Sequence, residues 1–381
     1  MIERATCNPR VARLQPLSEL PFMHDWIADD TALATLCASL ADHDAIAVDT
    51  EFMRVRTYWP ELALVQIATP HHTALIDPKP VSSLEPLRAL LVDGRSRKLM
   101  HSSSEDLVAL GRIGARPISV LFDTQVAAAF AGLGPGIGYQ RLVQTLLDVT
   151  LEKGETRSDW LKRPLTEQQL HYAEQDVVHV AALHDALVAR LEARGMLAWC
   201  LEDCDRLART SNEEPTADPH HELRNAWRWP RERQALLKRV LEWRERTART
   251  IDRPRLWIFD NVKAAELVSA PSLDTDALRA AMVGQRSFPK RAYDELAALL
   301  ATPIGAAELD ALVAIPEPLR GDDERRADAL RDAVAARAQA IDLPPALLMS
   351  RRAIEAHVRG VALSELAGWR GAVLAEVLAG A

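Results

Sequence analysis

An α/β amino-terminal portion followed by an all-helical carboxyl-terminal portion is predicted by three observations. Ala45-Ile46-Ala47-Val48 is a short apolar run of strand character. Thr166-Glu167-Gln168-Gln169 has the form of a capping box and opens a helix expected to run to about Leu191. Beyond the polar, proline-containing interval Thr210–Pro219, helical pattern dominates. A chain of 381 residues exceeds what one core usually organises, and 48% hydrophobic residues supply ample core material.

Within the first portion, acidic residues fall in three separated patches beside apolar sequence: Asp49 and Glu51 in AVDTEFMR, Asp106 in HSSSEDLVAL, and Asp176 in LHYAEQDVVHV. An unpaired charge there is costly unless something cationic neutralises it, most simply a pair of divalent metals. Asp49 and Glu51 follow the end of the apolar run. Residues two apart on a strand face one side, so both can aim at one point, where two like charges would push a pKa up strongly. A solvated edge strand is the competing reading. In the second patch, Ser102-Ser103-Ser104-Glu105-Asp106 has the character of a helix start, with serine caps and acids favoured by the dipole. A helix start can also project an acid into a site.

In the third patch, Tyr172 and His171 compete as partner of Asp176. With the cap placing both in the helix, a turn of about 100° per residue sets Tyr172 roughly 40° from Asp176 and His171 roughly 140° away. Tyr172 is therefore the residue that shares the carboxylate's face.

The segments AVDTEFMRVRTYWPELALVQIAT, LMHSSSEDLVAL and RSDWLKRPLTEQQLHYAEQDVVHVAAL resemble, in order, the three exonuclease motifs of the ribonuclease D family, the tyrosine-bearing branch of the DEDD 3′→5′ exonucleases. The resemblance covers about residues 24 to 200, and the remainder resembles the HRDC domains that follow in that family. It implies an RNase H-like fold with a mixed, largely parallel sheet. It also implies a site for two Mg²⁺ or Mn²⁺ ions held by Asp49, Glu51, Asp106 and Asp176. Hard cations of this kind take oxygen ligands, so no Cys or His is needed. In a two-metal reaction one ion activates the attacking water and the other stabilises the departing 3′ oxygen. On the family pattern Asp49 is shared, Glu51 and Asp176 serve the nucleophile side, and Asp106, rather than its neighbour Glu105, supports the other ion. Tyr172 orients the attacking water or helps deprotonate it, and for a phenol near pKa 10 positioning is the more economical role.

The resulting division is an amino-terminal extension (1–22), an exonuclease domain (23–209), a linker (210–219), and two HRDC-like helical domains (220–300 and 301–381). The extension holds Pro9, Pro16 and Pro21 without clear periodicity, and HDWIADDTALATLCASLADHD resembles the family domain's usual opening. RERQALLKRVLEWRERTAR reads as one long amphipathic helix, and Ala301-Thr302-Pro303-Ile304 marks the last boundary. The two helical blocks share too little for an internal repeat to be read from sequence.

Cys7, Cys37, Cys200 and Cys204 form no paired C-x-x-C framework, no apolar signal segment opens the chain, and no stretch approaches the roughly 20 apolar residues of a membrane span. Free thiols and the cytoplasm are expected, with no obligate protein partner. Cys200 and Cys204 are read as packing residues. The net charge is −8, yet residues 222–255 carry eleven Arg/Lys against five Asp/Glu. That excess is a candidate phosphate-binding face, with Trp227, Trp229, Trp243 and Trp257 interleaved for stacking or for the core. Residues 301–381 carry nine basic and twelve acidic side chains, which suits a bracing role.

Arg54, Arg56, Lys162 and Arg163 lie close to the motifs, where they either touch substrate phosphates or hold loops. Phe52 and Met53 either pack on the terminal base or enter the core. His71-His72 and His220-His221 read as loop pairs, and His101 and His179 as structural. The expected activity is metal-dependent 3′→5′ hydrolysis of single-stranded RNA ends to nucleoside 5′-monophosphates, with 3′-extended tRNA precursors as the substrate the resemblance implies. The alternatives are a DNA-directed exonuclease with the same metal site and a catalytically idle RNA-binding protein.

Overall fold

The computed structural model of the chain describes residues 24–379 except 153, 155–157, 212–217, 271–273 and 286–287. The expected amino-terminal extension, the middle of the expected linker, Cys7 and Arg157 lie outside the described residues.

Six strands, β1 (His24–Ile27), β2 (Ala45–Met53), β3 (Glu61–Thr69), β4 (His72–Ile76), β5 (Arg97–Met100) and β6 (Leu121–Asp123), form one sheet in the order β1-β4-β3-β2-β5-β6. β1/β4, β2/β5 and β5/β6 pair parallel, and β2/β3 and β3/β4 antiparallel, which is the mixed, largely parallel sheet that the resemblance implies. β3 is buried from Ala63 through Thr69, as a central strand covered on both faces must be. The apolar run at 45–48 does not end at Asp49: β2 continues through Met53, because pairing with β3 extends it beyond its apolar half.

Between and after the strands lie α1 (Asp30–Leu40), α2 (Glu85–Val92), α3 (Ser104–Gly111), α4 (Thr124–Phe130), α5 (Tyr139–Leu147), α6 (Glu167–Val178), α7 (Val180–Ala193) and α8 (Leu197–Thr210). The capping box of α6 is present, with Gln169 N donating to Thr166 Oγ1 (3.2 Å) and Thr166 N to Gln169 Oε1 (3.0 Å). The helix expected to reach Leu191 breaks at the buried His179, where α7 begins. α6 lies across β2, β3 and β4, closing Leu64 and Leu75 of the sheet under Ala173 and Trp160.

The carboxyl-terminal portion is helical: α9 (Arg231–Thr250), α10 (Arg255–Ile258), α11 (Asn261–Ser269), α12 (Thr275–Ala281), α13 (Ala292–Ala301), α14 (Ala306–Asp310), α15 (Gly321–Ala340), α16 (Pro345–Leu348), α17 (Arg351–Val358) and α18 (Trp369–Ala379). A separate core of Leu237, Leu241, Trp243, Phe259 and Leu296 organises the first of these helices, and its packing runs past residue 301 to Ile315. The second group shares the core of the exonuclease domain, with Leu330, Val334, Ile354 and Leu374 in the same cluster as Leu183 and Phe130. At that junction Trp369 stacks on Trp199 (5.0 Å, 12°), and the buried Arg370 guanidinium grips Asp203 through two hydrogen bonds of 2.5 and 2.6 Å.

A repeat is plain in the backbone, and it surfaces in the sequence where Ala248-x-x-Ile251-Asp252-x-Pro254 matches Ala338-x-x-Ile341-Asp342-x-Pro344. α9-α10-α11 and α15-α16-α17 each consist of a twenty-residue helix, a four-residue helix begun after a proline, and a third helix capped by Asp260 or Ser350. Each long helix ends two residues before an aspartate in the left-handed region, Asp252 (φ 49°) and Asp342 (φ 53°). Asp and Asn tolerate that conformation better than most side chains.

Candidate active site

β5 pairs only with residues 45–47 of β2, so β2 projects beyond its parallel neighbour on that side. Asp49 and Glu51 stand on this projecting part, on the face that α6 covers. Asp49 lies opposite Gln66 and Glu51 opposite Leu64, and the ladder shifts by one residue just after Glu51. Thr50 points the other way, and its hydroxyl donates to Asp106 Oδ1 at 2.5 Å. α3 delivers Asp106, and α6 delivers Tyr172 and Asp176, whose side chains face each other across one helical turn.

The turn leading into α3 is fixed by Asp123, at the end of β6 and almost fully buried. Its carboxylate accepts from Ser102 N (3.1 Å), Ser103 N (2.8 Å) and Ser103 Oγ (2.8 Å), and also caps α4 through Gln125 N (2.8 Å) and Val126 N (3.2 Å). The serines thus differ from the expected caps: Ser103 gives its hydroxyl to Asp123, and Ser102 adopts φ 56°.

All four expected carboxylates converge. Burial, then Asp106, Asp176 and Glu51, holds Asp49 well above the usual carboxylate range. Burial followed by Asp176 and Asp106 lifts Glu51 to about 9. Burial lifts Asp106 to about 7 against the Thr50 hydrogen bond, and lifts Asp176 to about 7 against the hydrogen bond from Tyr172. The Tyr172 phenol is itself raised, first by burial and then by Asp176, Glu51 and Asp49. Among the described residues no Lys or Arg pairs with any of the four. Oxygen-only donors, shared burial and mutual repulsion are the properties that hard divalent cations match.

Sequence reasoning missed several neighbours. Tyr139, at the start of α5, donates its hydroxyl to Gln175 O (3.0 Å), and burial together with Asp176 and Asp49 raises its pKa well above the usual value. The Gln66 amide, fully buried opposite Asp49, has no hydrogen-bond partner. Gly154 passes so close to the Tyr172 ring that a Cβ there would lie 1.7 Å from a ring carbon. Strand alternation alone could have found Thr50. The other three depend on tertiary approach.

Other expected residues resolve into structural roles. Arg163 is held by Asp77 and by the Ala63 and Trp160 carbonyls, so it fixes a loop. Arg54 reaches Glu105 (3.2 Å) and the Tyr58 carbonyl, tying the β2–β3 connection to α3. Met53 packs with Trp160 and Tyr172. His220 and His221 both donate to the Val313 carbonyl at 2.9 Å. Cys37, Cys200 and Cys204 are buried free thiols.

Part of the arginine excess of residues 222–255 is turned inward, while Arg224, Arg228, Arg231, Arg233, Arg246, Arg253 and Arg255 stay exposed. Arg239 binds Glu308 and the Leu299, Thr302 and Pro303 carbonyls, Arg244 is buried against Phe259 O and Asn261, and Arg249 contacts Tyr58. Trp243 is a core residue.

A protein-family profile described as 3′-5′ exonuclease matches residues 24–192. Ribonuclease D of Xanthomonas oryzae is 41% identical over 86% of this chain and 90% of its own length. Ribonuclease D of Pseudomonas paraeruginosa is 36% identical over 88% and 89%. The crystal structure of Escherichia coli RNase D, described as an exoribonuclease involved in structured RNA processing, superimposes with a TM-score of 0.81 at 30% identity, covering 94% of this chain and 98% of that one. On this sequence similarity, fold and coverage, the chain belongs to the ribonuclease D family of hydrolytic 3′→5′ exoribonucleases.

Proposed function

We propose that Asp49, Glu51, Asp106 and Asp176 hold two divalent cations, Mg²⁺ or Mn²⁺, and that Tyr172 positions the attacking water for release of nucleoside 5′-monophosphates from single-stranded 3′ ends. The observation that carries this reading is the convergence, from three elements distant in sequence, of four carboxylates with no cationic side chain among them. When bound, the cations lower the pKa of the attacking water and neutralise charge on the departing 3′ oxygen. The chain's own contribution is geometry. β2 fixes Asp49 and Glu51 on one face, Thr50 and Asp123 fix Asp106, and the helical turn from Tyr172 to Asp176 fixes the phenol. With its pKa raised, Tyr172 stays protonated at neutral pH and acts as a hydrogen-bonding group rather than a base.

Transfer-RNA precursors with 3′ extensions are the substrates proposed and the cytoplasm the compartment, in keeping with the buried free thiols. No helix among the described residues is long and apolar enough to cross a membrane. The proposed division keeps the exonuclease through residue 209, a linker at 210–219 and two HRDC-like units beyond it. The test is degradation of a 3′-extended tRNA and a matched DNA strand by the parent and by Asp49→Asn, with Mg²⁺, Mn²⁺ or chelator. Stepwise, metal-dependent shortening of the RNA that vanishes in the variant is expected. Preference for the DNA would overturn the substrate, and binding without cleavage by the parent would overturn the chemistry.

A further inference from the structure

α9 ends against the loop that leaves the catalytic strand. Asp252 Oδ1 accepts from Tyr58 N (2.9 Å) and Trp59 N (3.1 Å), Tyr58 OH donates to Glu245, and the Arg253 guanidinium donates to the Arg56 carbonyl (3.3 Å). Immediately beside this contact the first helical unit opens a cavity of about 580 Å³, lined by Ile251, Arg253, Phe288, Pro289, Lys290 and Arg291.

Its lining holds three cations and no carboxylate. Arg253, Lys290 and Arg291 are exposed, and none of them makes an ion pair among the described residues. The same unit ties Lys238 to Asp218 and Arg239 to Glu308, whereas the cations lining this cavity have no such carboxylate. Phe288 is held at the wall by Tyr293 (4.6 Å) and Trp243 (5.9 Å). Unpaired cations around a half-buried aromatic ring and a proline match a sugar-phosphate chain carrying unstacked bases.

Placement agrees with that ligand. Arg56, touched by Arg253, follows Glu51 by five residues, a span of at most roughly 18 Å of extended backbone. A strand whose 3′ end lies at the carboxylates therefore needs only a few nucleotides to reach the cavity. We propose that this cavity is a second RNA subsite, binding the backbone phosphates of nucleotides upstream of the 3′ end being removed. The inference rests on the exoribonuclease reading and assigns the first helical unit a direct part in holding the substrate.

The test uses the full chain carrying Lys290→Ala and Arg291→Ala together. Binding of a long 3′-blocked single-stranded RNA is followed by fluorescence anisotropy in chelator across a salt series, and turnover is compared for the same sequence unblocked and for a dinucleotide. Each phosphate contact on a single strand contributes about 0.7 to the slope of log affinity against log salt, so the slope is expected to fall by roughly 1.4 and affinity at low salt by about tenfold or more. KM for the long strand rises several-fold, and KM for the dinucleotide, too short to span the two places, moves less. An unchanged salt slope, or equal effects on both substrates, overturns the subsite. Should the double variant melt below the parent, Lys290→Gln alone is measured, with half the loss of slope expected. Failure of the parent to shorten RNA, with this binding intact, counts against the catalytic reading and not against the subsite.

Discussion

Asp252 and Asp342 occupy the same place in two successive helical units, and each fastens its unit to the exonuclease domain. Asp252 accepts two backbone N–H groups of the β2–β3 connection, whereas Asp342 takes the Arg194 guanidinium at 2.8 Å while Arg194 also donates to the Asp342 carbonyl (2.8 Å). The two contacts differ in kind. One satisfies part-buried amides. The other is an ion pair in which Asp342 is 81% exposed.

Asp252→Ala is therefore expected to destabilise the chain by about 1–3 kcal/mol, since the Tyr58 and Trp59 amides lose their acceptor. Asp252→Asn keeps both the acceptor and the tolerance for positive φ, and should be nearly neutral. Asp342→Ala should stay within about 1 kcal/mol. Denaturant unfolding of the three variants orders them, and a larger loss at 342 than at 252 would reverse the assignment.

Asp203→Ala is expected to be the most damaging substitution outside the site. It leaves the buried Arg370 guanidinium without its carboxylate and removes the partner of Trp369 Nε1 (3.2 Å), a change worth about 3–5 kcal/mol. The signature is early release of α18, read as proteolysis near the carboxyl terminus below the main unfolding transition.

Tyr172→Phe removes the hydroxyl and leaves the four carboxylates in place. Turnover should fall by about 10²-fold, the scale of lost positioning, while calorimetric Mn²⁺ affinity stays close to that of the parent. Lost metal affinity in this variant would place the phenol among the ligands instead.

Proton linkage gives a further expectation. Glu51 rises to about 9 and Asp106 and Asp176 to about 7 in the folded chain without metal, above their unfolded values. Over that interval the native state binds more protons than the unfolded one, so these groups lower stability as pH rises from about 4 toward 9. Bound cations remove the repulsion and the protons together. The gain in Tm on adding Mg²⁺ should therefore grow from pH 6 to pH 9, and the gain should be smaller in Asp49→Asn. A gain independent of pH would mean that the ions bind elsewhere.

Much of the site was legible because strand and helix periodicity are local. Alternation placed Asp49 with Glu51, and the i, i+4 turn placed Tyr172 with Asp176. The break at His179 was not legible, since Val178-His179-Val180 carries neither glycine nor proline and the residue at the break is buried. The internal roles of Arg239 and Arg244 were not legible for a related reason: most of their partners are backbone carbonyls, which composition does not count. The helical repeat escaped because the two long helices differ at most positions and the identities gather in one short segment, Ala248-x-x-Ile251-Asp252-x-Pro254 against Ala338-x-x-Ile341-Asp342-x-Pro344.

The clamp between Tyr58 and Asp252 spans 194 residues of chain. Contacts of such sequence separation carry the largest loop-closure cost and form late. On a ribosome the strand bearing Asp49 and Glu51 emerges long before the residue that secures its outgoing loop. The carboxylates are thus assembled first, and the loop beside them is set only once the first helical unit has been made. A nascent nuclease so ordered reaches its working shape after most of its own synthesis is complete.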